Sequence, residues 1–158
     1  MNDSNRGDLT IGDQAAEALR IGLGSRTVAV VLYGSHARGD AFSTSDWDLL
    51  VIARDLPART LERHLFLKRM LPPDCRGAVS ILSKTPEEFE ARLPSLYLDI
   101  ALDGRILYDA CGYAEERLNA LRRLIRESGL YRERTDAGDL WCWKETPSRG
   151  WSLEWGQA

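Results

Sequence analysis

Two short stretches of the chain carry residue types suited to phosphate and divalent-metal chemistry. An apolar run, Thr27 to Tyr33, ends at Gly34-Ser35, and after ten further residues the chain reads Asp46-Trp47-Asp48. A glycine closing a buried strand lets the backbone turn sharply and approach a ligand, while exposed N–H groups and the Ser35 hydroxyl can donate to phosphate oxygens. Asp46 and Asp48, two apart on a strand, point to one face with attachment points about 7 Å apart. Oxygens converging at that spacing can hold Mg2+, which takes carboxylates, water and substrate phosphates; two ions about 3.5 to 4 Å apart support in-line attack on phosphorus. Taken singly, Gly-Ser is an ordinary turn and Asp-x-Asp an ordinary solvated strand edge or cap. Together they flank two apolar strands, and Asp48 would point into the same layer as Leu50. Gly34 to Asp48 is therefore read as a nucleotide-triphosphate and metal site.

These residues need elements to hold them. Ala15, Ala16, Leu19, Ile21 and Leu23 sit among polar neighbours and predict a helix over Asp13–Leu23, ended near Gly22 or Gly24. Thr27–Tyr33 is β-branched and apolar almost throughout, the pattern of a strand covered on both faces. A short helical link follows, then a strand over Asp46–Ala53, with Trp47, Leu49 and Val51 on one face and Asp46, Asp48, Leu50 and Ile52 on the other. Leu61, Leu65, Met70 and Leu71 mark a helix between Ala58 and Leu71, stopped by Pro72-Pro73. A third strand is expected at Gly77–Leu82. Thr85, Pro86 and Glu88 form a capping box with proline at the first helical position, and Pro94 interrupts that helix. A strand at Arg105–Tyr108 and a helix at Tyr113–Ser128, closed by Gly129, complete the alternation. The class is α/β (α+β), a small mixed sheet flanked by helices.

The tail differs. Trp141, Trp143, Trp151 and Trp155 are four of the five tryptophans, and LWCWKE, TPSRG and WSLEW read as two strands joined by a turn. The expected organisation is a main unit over residues 1–130 and a Trp-rich extension, residues 131–158, packed on it. The rings either cover the core or present an interface, where tryptophan is enriched.

The net charge of -3, from 21 Lys and Arg against 24 Asp and Glu, gives no global attraction for nucleic acid. Arg117, Arg122, Arg123, Arg126, Arg132 and Arg134 alternate with glutamates and read as a solvated face. Cys75, Cys111 and Cys142 lack metal-ligand spacing and are read as reduced, structural thiols. The longest apolar stretch is too short to cross a bilayer and the start, MNDSNRGD, is polar, so a cytoplasmic location is expected.

Gly34-Ser35-x-Ala37-Arg38-Gly39, the ten-residue spacer, and Ser45-Asp46-x-Asp48-Leu49 resemble the minimal nucleotidyltransferases of the DNA polymerase beta superfamily. The order of elements from about Leu9 to Tyr108 is similar too. The resemblance implies transfer of AMP from ATP with Mg2+ to a hydroxyl, either of a protein, such as a HEPN-domain toxin beside which small members act as antitoxins, or of a small molecule. It implies that Gly34 and Ser35 hold the triphosphate and that Asp46 and Asp48 bind the metals. Arg38 either neutralises developing charge or pairs with Asp40 or Asp46.

Active members of that superfamily place a third carboxylate on the next strand, where this chain reads GAVSILS and the matching position is Ser80. A hydroxyl supplies no charge to Mg2+ and no base near neutral pH. Three accounts stay open: a nucleotide-binding or partner-binding module that no longer reacts, a carboxylate reaching in from Asp74 or Asp99, or slow transfer with two carboxylates. The sequence gives no sign of an acceptor pocket.

Overall fold

The computed structural model describes residues 9–155. The stretch MNDSNRGD and the last three residues of the tail lie outside the described residues. Thr10 accepts from the backbone N–H of Asp13, whose carboxylate reaches back to Thr10, and this capping box opens helix α1, Ile11–Leu23, earlier than the apolar spacing alone indicates. A 3-10 turn leads into β1, Thr27–Tyr33, and the short helix α2, Gly34–Arg38. Strand β2 covers Trp47–Ala53, helix α3 Thr60–Met70 and helix α4 Pro73–Arg76. Then come β3, Val79–Lys84; α5, Pro86–Ala91; α6, Ser95–Asp103; β4, Arg105–Asp109; and α7, Tyr113–Glu127. Strands β5, Leu130–Thr135, and β6, Gly138–Trp143, follow.

The sheet order is β3-β2-β1-β4, with β1 antiparallel to β2 and β4, and β2 parallel to β3. Both faces are covered, as the unbroken apolar run of β1 requires. Val30, Leu32, Leu49 and Val51 pack against α1 and α3 through Leu19 and Leu67, and Val28, Val31, Leu50 and Ile52 pack against α5, α6 and α7. The alternation along β2 thus falls as its sequence dictates. Asp48 shares the face of Leu50, on the side of α6. No helix among the described residues is long and apolar enough to cross a membrane.

Two expectations need correction. On α3 the inward residues are Arg63 and Leu67, followed by Leu71, whereas Leu61 and Leu65 are exposed. Arg63 is drawn inward because Glu88 waits there: its Nη1 and Nη2 donate to the Glu88 carboxylate at 2.6 and 2.8 Å, and its Nε donates to the Pro57 carbonyl. A bidentate pair of this kind satisfies a guanidinium that would otherwise be buried at a cost. The second correction concerns the tail. WSLEW is not a strand; β6 pairs with β5 through the register Arg132↔Trp141, and the turn falls at Asp136-Ala137. Trp155 instead folds back on the core, donating its Nε1–H to the carbonyls of Phe89 and Arg92 at 2.9 and 3.0 Å. Trp141, Trp151 and Trp155 pack on the α6–α7 core, while Trp143 stays partly exposed and meets Trp151 edge-on.

The Arg63–Glu88 pair carries a pH signature. The Arg63 hydrogen bonds, more than any other cause, hold the Glu88 carboxyl at about 2, below its ordinary 4.5. A depressed carboxyl adds stability that is present above the unfolded value and is lost as pH falls through the folded one. Glu88→Gln is therefore expected to melt below the parent at pH 7, with the gap closing between 4.5 and about 2. The Glu88 side chain is 40% exposed, so solvent screens part of the effect. A gap on the order of 1 kcal/mol, about 2–4 °C, is expected for a chain of this size. Thermal melts across that pH range test it.

Candidate functional site

Gly34 ends β1 at a φ of +72°, a backbone that side chains with a Cβ rarely adopt. The position also lacks room: a Cβ built there would run into Asp48 Oδ2. The glycine thus brings the β1–α2 turn directly against the carboxylate of the neighbouring strand. Helix α2 closes one turn later at Gly39, whose φ of +79° is left-handed.

The spacer between the two halves of the motif is tied down by His36 and Trp47, which motif spacing alone did not single out. Their rings stack with centroids 3.7 Å apart and planes 12° from parallel. His36 Nε2 donates to the Ser45 carbonyl at 3.1 Å, and Ser45 Oγ accepts from the Phe42 backbone N–H at 2.9 Å. On its other side Trp47 lies against Gly12 of α1, where a Cβ would come within 2.5 Å of the indole. The signal available in the sequence was an aromatic between the two aspartates, on the face opposite theirs.

Asp48 pairs in register with Tyr33 on β1 and with Ser80 on β3. Asp46, one residue before β2, is exposed, whereas Asp48 is half-buried. Burial first, and the neighbouring Asp46 charge second, push the Asp48 carboxyl above the usual aspartate value, opposed by His36 and Arg38. Tyr33 beside it is raised to about 12, again by burial first and then by Asp48. Ser80, the position that the resemblance matches to the third carboxylate, lies beside the pair, and its Oγ donates to Asp46 Oδ2 at 3.2 Å.

Of the two readings of Arg38, the ion pair is formed: Nε meets Asp40 Oδ2 at 3.1 Å, and Asp46 is not its partner. Asp99 is spoken for, since its Oδ1 accepts from Arg132 at 3.1 Å and from the Trp141 indole at 3.2 Å. Asp74 lies in the first turn of α4. Neither is found with Asp46 and Asp48, and among the described residues no group of three or more His, Cys, Asp and Glu side chains could hold a metal.

The donor set nevertheless suits one kind of cation. Two carboxylates on one face, one of them pressed toward neutrality by burial and by its neighbour, are a poor resident cage but match Mg2+, which binds through one or two carboxylates and fills its shell with water and phosphate oxygens. Next to Gly34 opens a cavity of about 570 Å³, within the range of small-molecule sites, lined among others by Tyr33, Gly34, Arg38 and Asp40 from the motif, Leu96 from α6 and Arg134 from β5. A cavity of about 310 Å³ around Arg63, His64 and Lys84 shares none of these residues.

The profile of the family described as "Polymerase beta, Nucleotidyltransferase" matches residues 25–109, which span β1 to β4 and contain the whole motif. A protein of Methanocaldococcus jannaschii named "Putative protein adenylyltransferase MJ1305" is 30% identical over 118 residues, covering 72% of this chain and 80% of that protein. Among solved structures, a toxin-antitoxin crystal structure with AMP-PNP superposes with a TM-score of 0.53 at 16% identity, covering 73% of this chain and 87% of that one. A mutant of the toxin-antitoxin MntA-HpeT gives 0.52 at 12% identity with the same coverage. The last two likenesses are of fold.

Proposed function

The chain belongs to the polymerase beta nucleotidyltransferase family, and from that premise we propose that it transfers AMP from ATP, with Mg2+, to a hydroxyl of a partner protein, a HEPN-type toxin being the partner class. The observation that carries this reading is the packing of Gly34 on the Asp48 carboxylate, which sets a phosphate-accepting turn beside a carboxylate pair. It is supported by the 30% identical relative, named as an adenylyltransferase, and by the structures that share the fold, a toxin-antitoxin with AMP-PNP and a toxin-antitoxin mutant.

In this reading the backbone N–H groups at Gly34-Ser35 and the Ser35 hydroxyl donate to the triphosphate, and Arg38 exchanges Asp40 for a phosphate oxygen. Asp46 and Asp48 hold Mg2+, which when bound supplies positive charge to the reacting phosphate. The acceptor oxygen bonds to the α-phosphorus as the bond to pyrophosphate breaks, and the acceptor's proton passes to solvent. Ser80 holds Asp46 in place but takes no proton, so the reaction is slow. The neutral Ser80 in register with Asp48 also favours a second reading, a module that binds nucleotide without transferring it.

Incubation of the full chain with ATP labelled on the α-phosphate, Mg2+ and a purified HEPN-type protein decides between them. Label on a partner hydroxyl is the expected outcome. Calorimetric ATP binding without label on the partner would favour the second reading, and neither binding nor label would sink both.

A further inference from the structure

The cavity beside Gly34 is closed on one side by the β5–β6 hairpin, which lies beyond residues 25–109 of the family match. Two arginines border it, Arg38 from the motif and Arg134 from the hairpin, and both reach for one oxygen. Arg38 Nε lies 3.1 Å and Arg134 Nη2 3.5 Å from Asp40 Oδ2. One carboxylate thus holds two guanidinium groups side by side at the mouth of a cavity that also contains Gly34. The remaining acidic residues of that wall are Asp99, Asp103, Asp136 and Asp139, and three of them share one guanidinium. Arg132 binds Asp103 at 2.6 and 2.8 Å and Asp99 at 3.1 Å, and it stands 3.6 Å from Asp139. Arg134 also touches Asp139 at 3.3 Å, but its side chain is 65% exposed, and an exposed pair of this kind holds its partners only weakly. The Arg134 guanidinium is therefore free to leave its carboxylates for a more highly charged partner. A triphosphate offers that partner, with several oxygens suited to bidentate guanidinium contacts.

Resting on the nucleotidyl-transfer reading, we propose that Arg134 of the C-terminal hairpin is a second phosphate-binding arginine for the nucleotide, held beside Arg38 by Asp40 and released to the triphosphate when it enters. Asp40 is then a placeholder anion that competes with the nucleotide. The hairpin supplies part of the nucleotide site that the family core lacks.

Asp40 gives the sharpest test, because a merely structural ion pair and a competing anion predict opposite signs. ATP is titrated calorimetrically, with Mg2+, into the full chain and its variants, each checked by thermal melting. Arg134→Gln, which keeps the side-chain stem, is expected to weaken ATP binding about tenfold, and Arg134→Lys, which keeps the charge but not the fork, to recover part of the loss. Asp40→Asn is expected to tighten ATP binding several-fold. Unchanged affinity in Arg134→Gln, or an Asp40→Asn variant no tighter than the parent, overturns the inference while leaving the nucleotide reading standing. A parent chain that binds no ATP overturns the nucleotide reading and this inference with it.

Discussion

Asp48→Asn is expected to reduce AMP transfer by about a thousandfold while making the metal-free protein more stable at neutral pH. The loss follows from removing one of the two carboxylates proposed to hold the cation, since charge stabilisation by a bound metal is worth several kcal/mol and each 1.36 kcal/mol is a factor of ten in rate. The gain in stability follows from the direction of the Asp48 shift. Its carboxyl is raised above the ordinary 3.8, chiefly by burial and then by Asp46. A raised carboxyl contributes stability that is full below the unfolded value and is lost as pH rises through the folded one. At pH 7 the ionised Asp48 therefore works against folding, and an amide of the same shape does not. Melting curves with and without Mg2+ read both effects. The variant should melt above the parent at pH 7 in chelator, the gap should vanish below pH 3.8, and Mg2+ should raise the melting temperature of the parent alone. Full transfer by Asp48→Asn would remove Asp48 from the site.

That opposition between stability and the proposed function explains why the candidate site was legible in the sequence. A carboxylate alternating with Leu50 and Ile52 on a buried face is a local inconsistency, and such inconsistencies mark sites. Strand period placed Asp46 and Asp48 on one face, and the resemblance to the superfamily pointed to Ser80 on the next strand, which pairs in register with Asp48. The His36–Trp47 clamp was harder to see, since it joins residues eleven apart through ring stacking that no period encodes. The tail was misread for a related reason. Leu130 to Thr135, LYRERT, looks like charged surface because Arg132 points toward Asp99 and Asp103, partners about thirty residues away. The Asp136-Ala137-Gly138 turn was the signal for the true hairpin. Trp151 and Trp155 have the composition of a strand, yet Trp155 is held by its indole N–H against carbonyls of the α5 end, a contact set by tertiary packing. Arg63 shows the same limit on α3, where a charged residue outcompeted leucines for the inward face because its partner, Glu88, came from another helix.

Ser80 is the position at which restoring a carboxylate should have the largest positive effect. It lies in register with Asp48 on the parallel neighbour β3, and its hydroxyl is already within 3.2 Å of Asp46. Ser80→Asp would set three carboxylates on adjacent strand ends. Without metal they repel, so the variant should melt lower than the parent in chelator, and Asp48 should be pushed further toward its neutral form. With Mg2+ the sign reverses, because a third anionic ligand raises the affinity of the site and the cation cancels the repulsion. The new carboxylate also gives the acceptor's proton a destination, and a positioned base contributes about a hundredfold or more to rate. The expected result is therefore a chain that is less stable in chelator, more stable in Mg2+, and about a hundredfold faster in AMP transfer. Ser80→Ala separates the roles. It removes the hydrogen bond to Asp46 without adding charge and should leave transfer within a few-fold of the parent. If Ser80→Asp shows neither a stronger response to Mg2+ nor faster transfer, the Ser80 side chain does not face the reacting phosphate, and the hydrogen bond to Asp46 is only a strand-end contact.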